Sequence, residues 1–251
     1  MTPAVLIKIS GHELDDPAYL HELAATVRRL DSPVVIVHGG GREISALQQL
    51  MGIEPRYLDG VRITDAASLA VVEMVLCGAV NTRLVRCLVE AGVEALGLSG
   101  VDRGLVRAET MPHPHTDMGF TGRVISVRGD ILRELLAQGV TPVIAPVCLG
   151  DGTTLNVNAD HVAGAVAAAI NAQRAVFLTN VSGVLVNGQV ARALTPEQTA
   201  ALIADGTIFG GMIPKVQTAL DALAAGVPEA LITDLTGLRE GGGTLFRRAD
   251  P

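Results

Sequence analysis

Hydrophobic positions along this chain alternate between two patterns: short, mostly β-branched runs, and longer stretches in which Leu, Ala and Val recur at helical spacing. The runs at 5–9, 34–37, 95–98, 142–147, 176–179 and 230–233 predict buried strands, the last being the final strand of the chain. Helical spacing covers 17–30, with Pro17 suited to a first turn, then 42–51, 66–90, 131–138, 161–170 and 216–225. Shorter segments at 58–63, 105–107 and 123–127, bounded by Gly, Asp and Pro, predict hairpin strands. Strand, turn, helix in repeated succession predicts an α/β fold. The expected form is a three-layer αβα sandwich with a mainly parallel central sheet and two lobes, 1–171 and 172–251, meeting near residues 171–174. No internal repeat, low-complexity tract or linker interrupts the pattern.

Composition narrows the function. Hydrophobic residues make up 49% of the 251, yet aromatics only 2% and Trp is absent, so the core is aliphatic. A net charge of −7 and no basic run argue against nucleic acid or an anionic membrane as partner. The N-terminal stretch has no basic segment followed by a long apolar one, which predicts neither signal peptide nor membrane span. Three cysteines, Cys77, Cys87 and Cys148, lack any CxxC pattern and fit buried thiols in a reduced cytoplasm. Only two lysines occur, Lys8 and Lys215, against many arginines.

In an open α/β sheet the residues just beyond the strands' carboxyl ends hold the ligand. Lys8-Ile9-Ser10-Gly11-His12 follows the first strand, His38-Gly39-Gly40-Gly41 the second, and Thr179-Asn180-Val181-Ser182-Gly183-Val184 a later one. Consecutive glycines at a helix entrance let backbone N–H groups approach an anion, although a plain turn reads the same way. Neither GxGxxG nor GxxxxGK[ST] is present, which disfavours dinucleotide-binding and P-loop enzymes. Lys8, in an otherwise apolar strand, is either a solvated edge residue or an active-site cation. Lys215 opens a helix, where a cation opposes the helix dipole, and this points to an anionic partner. Their joint placement beside glycine turns favours function. Asn158 or Asp160 caps the next helix, yet capping leaves the cluster Asn156, Asn158 and Asp160 unexplained. Arg62 is either a surface residue or a bidentate carboxylate clamp. Thr64 or Asp65 caps the helix that follows and needs no further role. His113 and His115 flank Pro114 and read as solvated residues rather than a metal pair.

Taken in order, these motifs resemble the amino acid kinase family over essentially the whole chain, in the branch acting on an N-acylated glutamate. The specific parts are Lys8 with Gly11, His38-Gly39-Gly40-Gly41, Gly60-Val61-Arg62-Ile63-Thr64, Leu98-Ser99-Gly100-Val101-Asp102, Asn156-Val157-Asn158-Ala159-Asp160, Val181-Ser182-Gly183-Val184 and Gly210-Gly211-Met212-Ile213-Pro214-Lys215. The resemblance implies phosphorylation of the side-chain carboxylate of N-acetyl-L-glutamate by ATP, giving an acyl phosphate for arginine biosynthesis. Lys8 and Lys215 would neutralise the transferred phosphoryl group, with Asp160 orienting both. Gly40, Gly41, Arg62, Asn156 and Asn158 would hold the acyl amino acid. Lys8, Ser10, Gly11, the loop from Thr179 through Asn180, Val181, Ser182 and Gly183 to Val184, and Gly210, Gly211, Met212 and Lys215 would hold the nucleotide. Mg²⁺ would be bound mainly through the phosphates, without a protein metal site. A carboxylate acceptor is already ionised at neutral pH, so no general base is required.

Three departures from the family pattern stand out: Ser10-Gly11 where two glycines are usual, Asn180 at a position commonly Asp, and Val101-Asp102-Arg103-Gly104 in place of a Lys-Asp-Gly-Gly run. Two other readings compete: a kinase for aminoadipate or glutamate linked to an acidic carrier protein, and a degenerate amino-acid-binding regulatory module. Arginine-inhibited members of the family carry an extra helix before the first strand. The few residues preceding that strand here predict a homodimer joined through the N-terminal lobe, without strong inhibition by arginine.

Overall fold

A computed structural model describes residues 3–11 and 13–249. His12, the last residue of the Lys8–His12 motif, lies outside the described residues, as do Met1, Thr2, Asp250 and Pro251.

The chain runs from β1 (Val5–Ile9) through α1 (Pro17–Arg28) to β2 (Val34–His38) and α2 (Gly41–Leu50). The hairpin of β3 (Arg56–Leu58) and β4 (Val61–Ile63) precedes α3 (Ala66–Glu73), a π-helical segment (Met74–Val80) and α4 (Asn81–Glu90). Next come β5 (Ala95–Gly100), β6 (Val106–Thr110), β7 (Thr121–Val127), α5 (Gly129–Ala137), β8 (Thr141–Leu149), β9 (Thr154–Val157) and α6 (Ala159–Ala169). The last part holds β10 (Arg174–Leu178), β11 (Leu185–Val186), β12 (Gln189–Val190), β13 (Ala193–Leu194), α7 (Pro196–Ala204), α8 (Met212–Ala224), β14 (Glu229–Thr233), α9 (Leu235–Glu240) and β15 (Thr244–Arg247).

Eleven of these strands form one sheet in the order β13-β15-β14-β10-β1-β2-β8-β6-β7-β9, with β5 also on β8. β1, β2, β5, β8, β10 and β14 pair in parallel, while β6–β7, β8–β9 and β14–β15 are antiparallel. Strand residues alternate between two cores because side chains point to opposite faces with a period of two. Leu6, Val35, Val37 and Ile144 pack with α5, α6 and α8, whereas Ile7, Ile36, Val143 and Ala145 pack with α1, α3 and α4. The three-layer αβα arrangement with a mainly parallel sheet is therefore the observed fold.

Expectation and structure differ at particular places. Asn156 and Val157, expected to lead into the next helix, belong instead to the short strand β9. Residues 230–233 are not the last strand, because β15 folds back antiparallel on β14 after a run of three glycines. Between β10 and α8, α7 was not foreseen, although Thr195 and Gln198 complete a capping box at its start. The 66–90 helix contains the π-helical turn. By length and apolarity it matches a membrane span, but half of its apolar window is buried inside the protein. Asp59 and Gly60, both at positive φ, make the two-residue turn of the β3–β4 hairpin.

Because Phe246 on β15 is fully buried, this late strand is part of the core rather than a trailing edge. Phe246→Ala is expected to destabilise the protein by about 3–5 kcal/mol in urea unfolding. A midpoint equal to wild type would show that β15 contributes little.

Candidate active site

β1 is an interior strand flanked by β2 and β10, so the solvated-edge reading of Lys8 does not hold. Lys8 shares its sheet face with Leu6, the face on which α6 packs, and is 9% exposed. Its Nζ lies 2.8 Å from Asp160 Oδ1 in the first turn of α6. Asn158 supplies the cap: its Oδ1 accepts from the Asp160 N–H at 2.8 Å. Capping thus frees the Asp160 carboxylate for the lysine and leaves the Asn158 amide N–H groups to donate elsewhere.

Lys215, half-buried in the first turn of α8, donates to Thr179 Oγ1 and, at 3.2 Å, to Asn180 Oδ1. Burial pushes its ammonium below the ordinary lysine value, and the charge of Lys8 pushes the same way, offset by Asp160 and Glu13. Two cations near each other with only one of them paired to a carboxylate form an arrangement that favours a further anion beside them.

The two glycine turns touch. A Cβ on Gly11 would stand 2.6 Å from Gly40 N, so only glycine allows the ends of β1 and β2 to approach this closely. Gly40 is in turn covered by Leu76 of the π-helical segment, whose Cδ2 would lie 2.6 Å from a Cβ added to that glycine. Gly40 and Gly41 open α2, where backbone N–H groups have no intrahelical acceptor. They line a cavity of about 190 Å³ with Arg62, Asn156 and Asn158. Arg62 is 8% exposed, which overturns the surface reading; burial lowers its guanidinium below the ordinary value. It donates to Gln48 Oε1, to Gly41 O at 3.0 Å and to Ser45 Oγ at 2.9 Å, and stacks 4.8 Å from the Tyr57 ring centroid.

A second cavity, about 430 Å³, lies beyond the end of β10 and is lined by Asn180, Val181, Ser182, Gly183, Val184 and Met212. Phe209 and Asp234 complete its wall. Ser10 N donates to Leu178 O, tying the first turn to the end of β10. Gly210 adopts φ +56° in the turn before α8, and Gly211 is the helix cap.

A model described as the amino acid kinase family matches residues 3–234. The chain belongs to the amino acid kinase family. Within it, an acetylglutamate kinase of Roseiflexus sp. (strain RS-1) is 54% identical over 249 residues, 99% of this chain and 95% of that one. An acetylglutamate kinase of Methanopyrus kandleri is 44% identical over 96% of this chain and 99% of its own. Among solved structures, smu.665 from Streptococcus mutans UA159 aligns with a TM-score of 0.81 at 30% identity, over 99% of this chain and 100% of that one.

For this amino acid kinase, the structure pairs Lys8 with Asp160 and Lys215 with Thr179 and Asn180. It sets Gly40, Gly41, Arg62, Asn156 and Asn158 around the small cavity and residues 180–184 with Met212 around the larger one, while Ser10, Gly11, Gly210 and Gly211 line neither. Sequence reasoning missed the residues behind them. Thr64 is no cap, since Asp65 accepts from Ser68 N at 2.8 Å. Thr64 Oγ1 instead accepts from Asn156 Nδ2 at 2.9 Å and from Thr121 Oγ1 at 3.1 Å, fixing Asn156. His38, fully buried, faces Gly39 O through Nδ1 at 3.0 Å, so Nδ1 carries the proton and Nε2 accepts from Asn81 Nδ2 at 3.1 Å. The signal for His38 was its place at the end of an apolar strand, directly before the glycine turn. Burial pushes the Cys77 thiol up to about 11 and Cys148 up to about 12, so neither is a ready nucleophile. His113 and His115 contact each other edge-on at 6.3 Å between β6 and β7.

Burial holds the His38 pKa down to about 4, against 6.5 for the free side chain. Below pH 6.5 the unfolded chain therefore binds a proton that the folded one refuses, so this contribution to stability is intact above 6.5 and lost as pH falls toward 4. The loss is about 3 kcal/mol. Urea unfolding at pH 7, 5.5 and 4.5 should show this dependence, and His38→Gln should flatten it. An unchanged slope in the variant would exclude His38 as its source.

Proposed function

We infer that this amino acid kinase transfers the γ-phosphoryl group of ATP to the side-chain carboxylate of N-acetyl-L-glutamate, the acyl-phosphate-forming step of arginine biosynthesis. The observation that carries the reading is the Lys8–Asp160 ion pair, with the chain's other lysine, Lys215, close enough to feel both charges, in a chain related over nearly its whole length to acetylglutamate kinases. The chemical difficulty is the approach of two anions, an ionised carboxylate and a phosphate. Lys8 and Lys215 would spread positive charge across the transferred group, and Asp160 would keep the two ammonium groups from driving each other apart. No side chain is needed to remove a proton from the acceptor.

We propose that Gly40, Gly41, Arg62, Asn156 and Asn158 bind the acyl amino acid, Arg62 taking its α-carboxylate. Ser10, Gly11, the 179–184 loop, and Gly210, Gly211 and Met212 would bind ATP in the larger cavity. The part through residue 171 would then serve the amino acid and 172–251 the nucleotide. Among the described residues no group of three or more His, Cys, Asp or Glu converges as a metal site. We propose that Mg²⁺, which supplies charge neutralisation when bound, is held mainly through the nucleotide phosphates. We propose a cytoplasmic enzyme, in keeping with three free thiols.

ATP turnover with N-acetyl-L-glutamate, free glutamate and uridylate tests the substrate, with activity expected on the first alone. Lys8→Ala and Lys215→Ala should each lower kcat by about 10²–10³ with little change in unfolding midpoint. A Lys8 variant turning over near the wild-type rate would remove its assignment.

We further propose a homodimer through the N-terminal part. In its support, β5 pairs on one side only among the described strands, and Leu96 on it and Val89 on α4 are exposed apolar residues. Light scattering should give twice the chain mass, and Leu96→Lys should shift it toward monomer. A monomeric wild-type protein would end this proposal.

A further inference from the structure

Arg62 is nearly buried, yet none of the ion pairs among the described residues includes it. Its partners, Gln48, Ser45, the Gly41 carbonyl and the Tyr57 ring, are all uncharged groups. A desolvated cation held only by neutral acceptors keeps its attraction for an anion, whereas one paired with a carboxylate has lost most of it. Gln48 is the partner that sequence alone hides. It sits on α2, fully buried, and its Nε2 donates at 2.8 Å to Ser68 Oγ on α3. Because arginine has no acceptor, the carboxamide must turn its oxygen to Arg62 and its nitrogen to Ser68. Both ends of the amide are thus used.

We propose that Gln48 is a positioning residue that aims the Arg62 guanidinium into the substrate cavity while leaving its charge unneutralised for the substrate carboxylate. The proposal rests on the reading of Arg62 given above. An apolar residue at this position would leave buried donors without an acceptor, and an acidic one would be a built-in competitor for the guanidinium fork.

Gln48→Glu, close in shape, separates positioning from support. It retains an acceptor for Arg62 and adds the competing charge. The melting temperature is expected to stay at or above wild type. The KM for N-acetyl-L-glutamate should rise about ten-fold or more, with kcat and the KM for ATP near wild type. An unchanged KM for N-acetyl-L-glutamate would overturn the proposal. So would an equal rise in both KM values with a lower melting temperature, which marks a structural role. If that variant does not fold, Gln48→Met, similar in size and lacking a strong acceptor, should raise the same KM selectively, and no rise would again refute it. Arg62→Lys is the control for the parent reading. If it leaves the KM for N-acetyl-L-glutamate unchanged, the assignment of Arg62 fails and this proposal with it. If Arg62→Lys raises that KM and Gln48→Glu does not, only the role of Gln48 falls.

Discussion

Holding like charges close together in a partly dry cleft is the constraint around which this structure is arranged. Burial, and after it the charge of Lys8, lower the proton affinity of Lys215. Asp160 supplies the compensating charge, and it can do so because Asn158 takes over the capping of α6. Lys215 is steadied by neutral oxygens of Thr179 and Asn180 rather than by a second carboxylate. The cluster therefore keeps net positive charge, which on the proposed reading would meet a phosphoryl group. The Asn180 that departs from the family pattern accepts a hydrogen bond from Lys215 in this chain.

The same economy of counter-charge governs the smaller cavity. Arg62 is buried among neutral acceptors, and the glycine turns present backbone N–H groups beside it. Anion binding at such a site draws on helix-end dipoles and an unpaired guanidinium, both stronger away from water. Packing makes this geometry reproducible. Gly11 and Gly40 meet backbone to backbone, Leu76 of the π-helical turn closes over Gly40, and His38 is wedged beneath between Gly39 and Asn81. A π-helical turn inside a long helix is a feature that often marks functional sites, and here it shapes the cavity wall.

Lys8, Asp160 and Lys215 come from β1, α6 and α8, separate in sequence, and only the sheet brings them together. Parallel strands all end on the same side, so every loop that follows one can contribute to a single cleft. Membership of the amino acid kinase family agrees with this layout over residues 3–234.

Local pattern was enough to reveal the strand-turn-helix alternation, the His38–Gly41 turn, a hairpin near residues 58–63 and the two isolated lysines. Each is encoded by neighbours in the chain, where β-branched runs, glycine and charge act over a few residues. Short β9 and the antiparallel return of β15 escaped, because two-to-four-residue strands carry too few positions to show a period. Whether Lys8 and Arg62 were surface residues was equally undecidable locally: burial depends on which strands and helices lie across from them. Gln48, Thr64 and Thr121 looked like ordinary polar residues for the same reason. A buried polar group is satisfied by partners that are distant in sequence, and only the tertiary structure decides which partners those are.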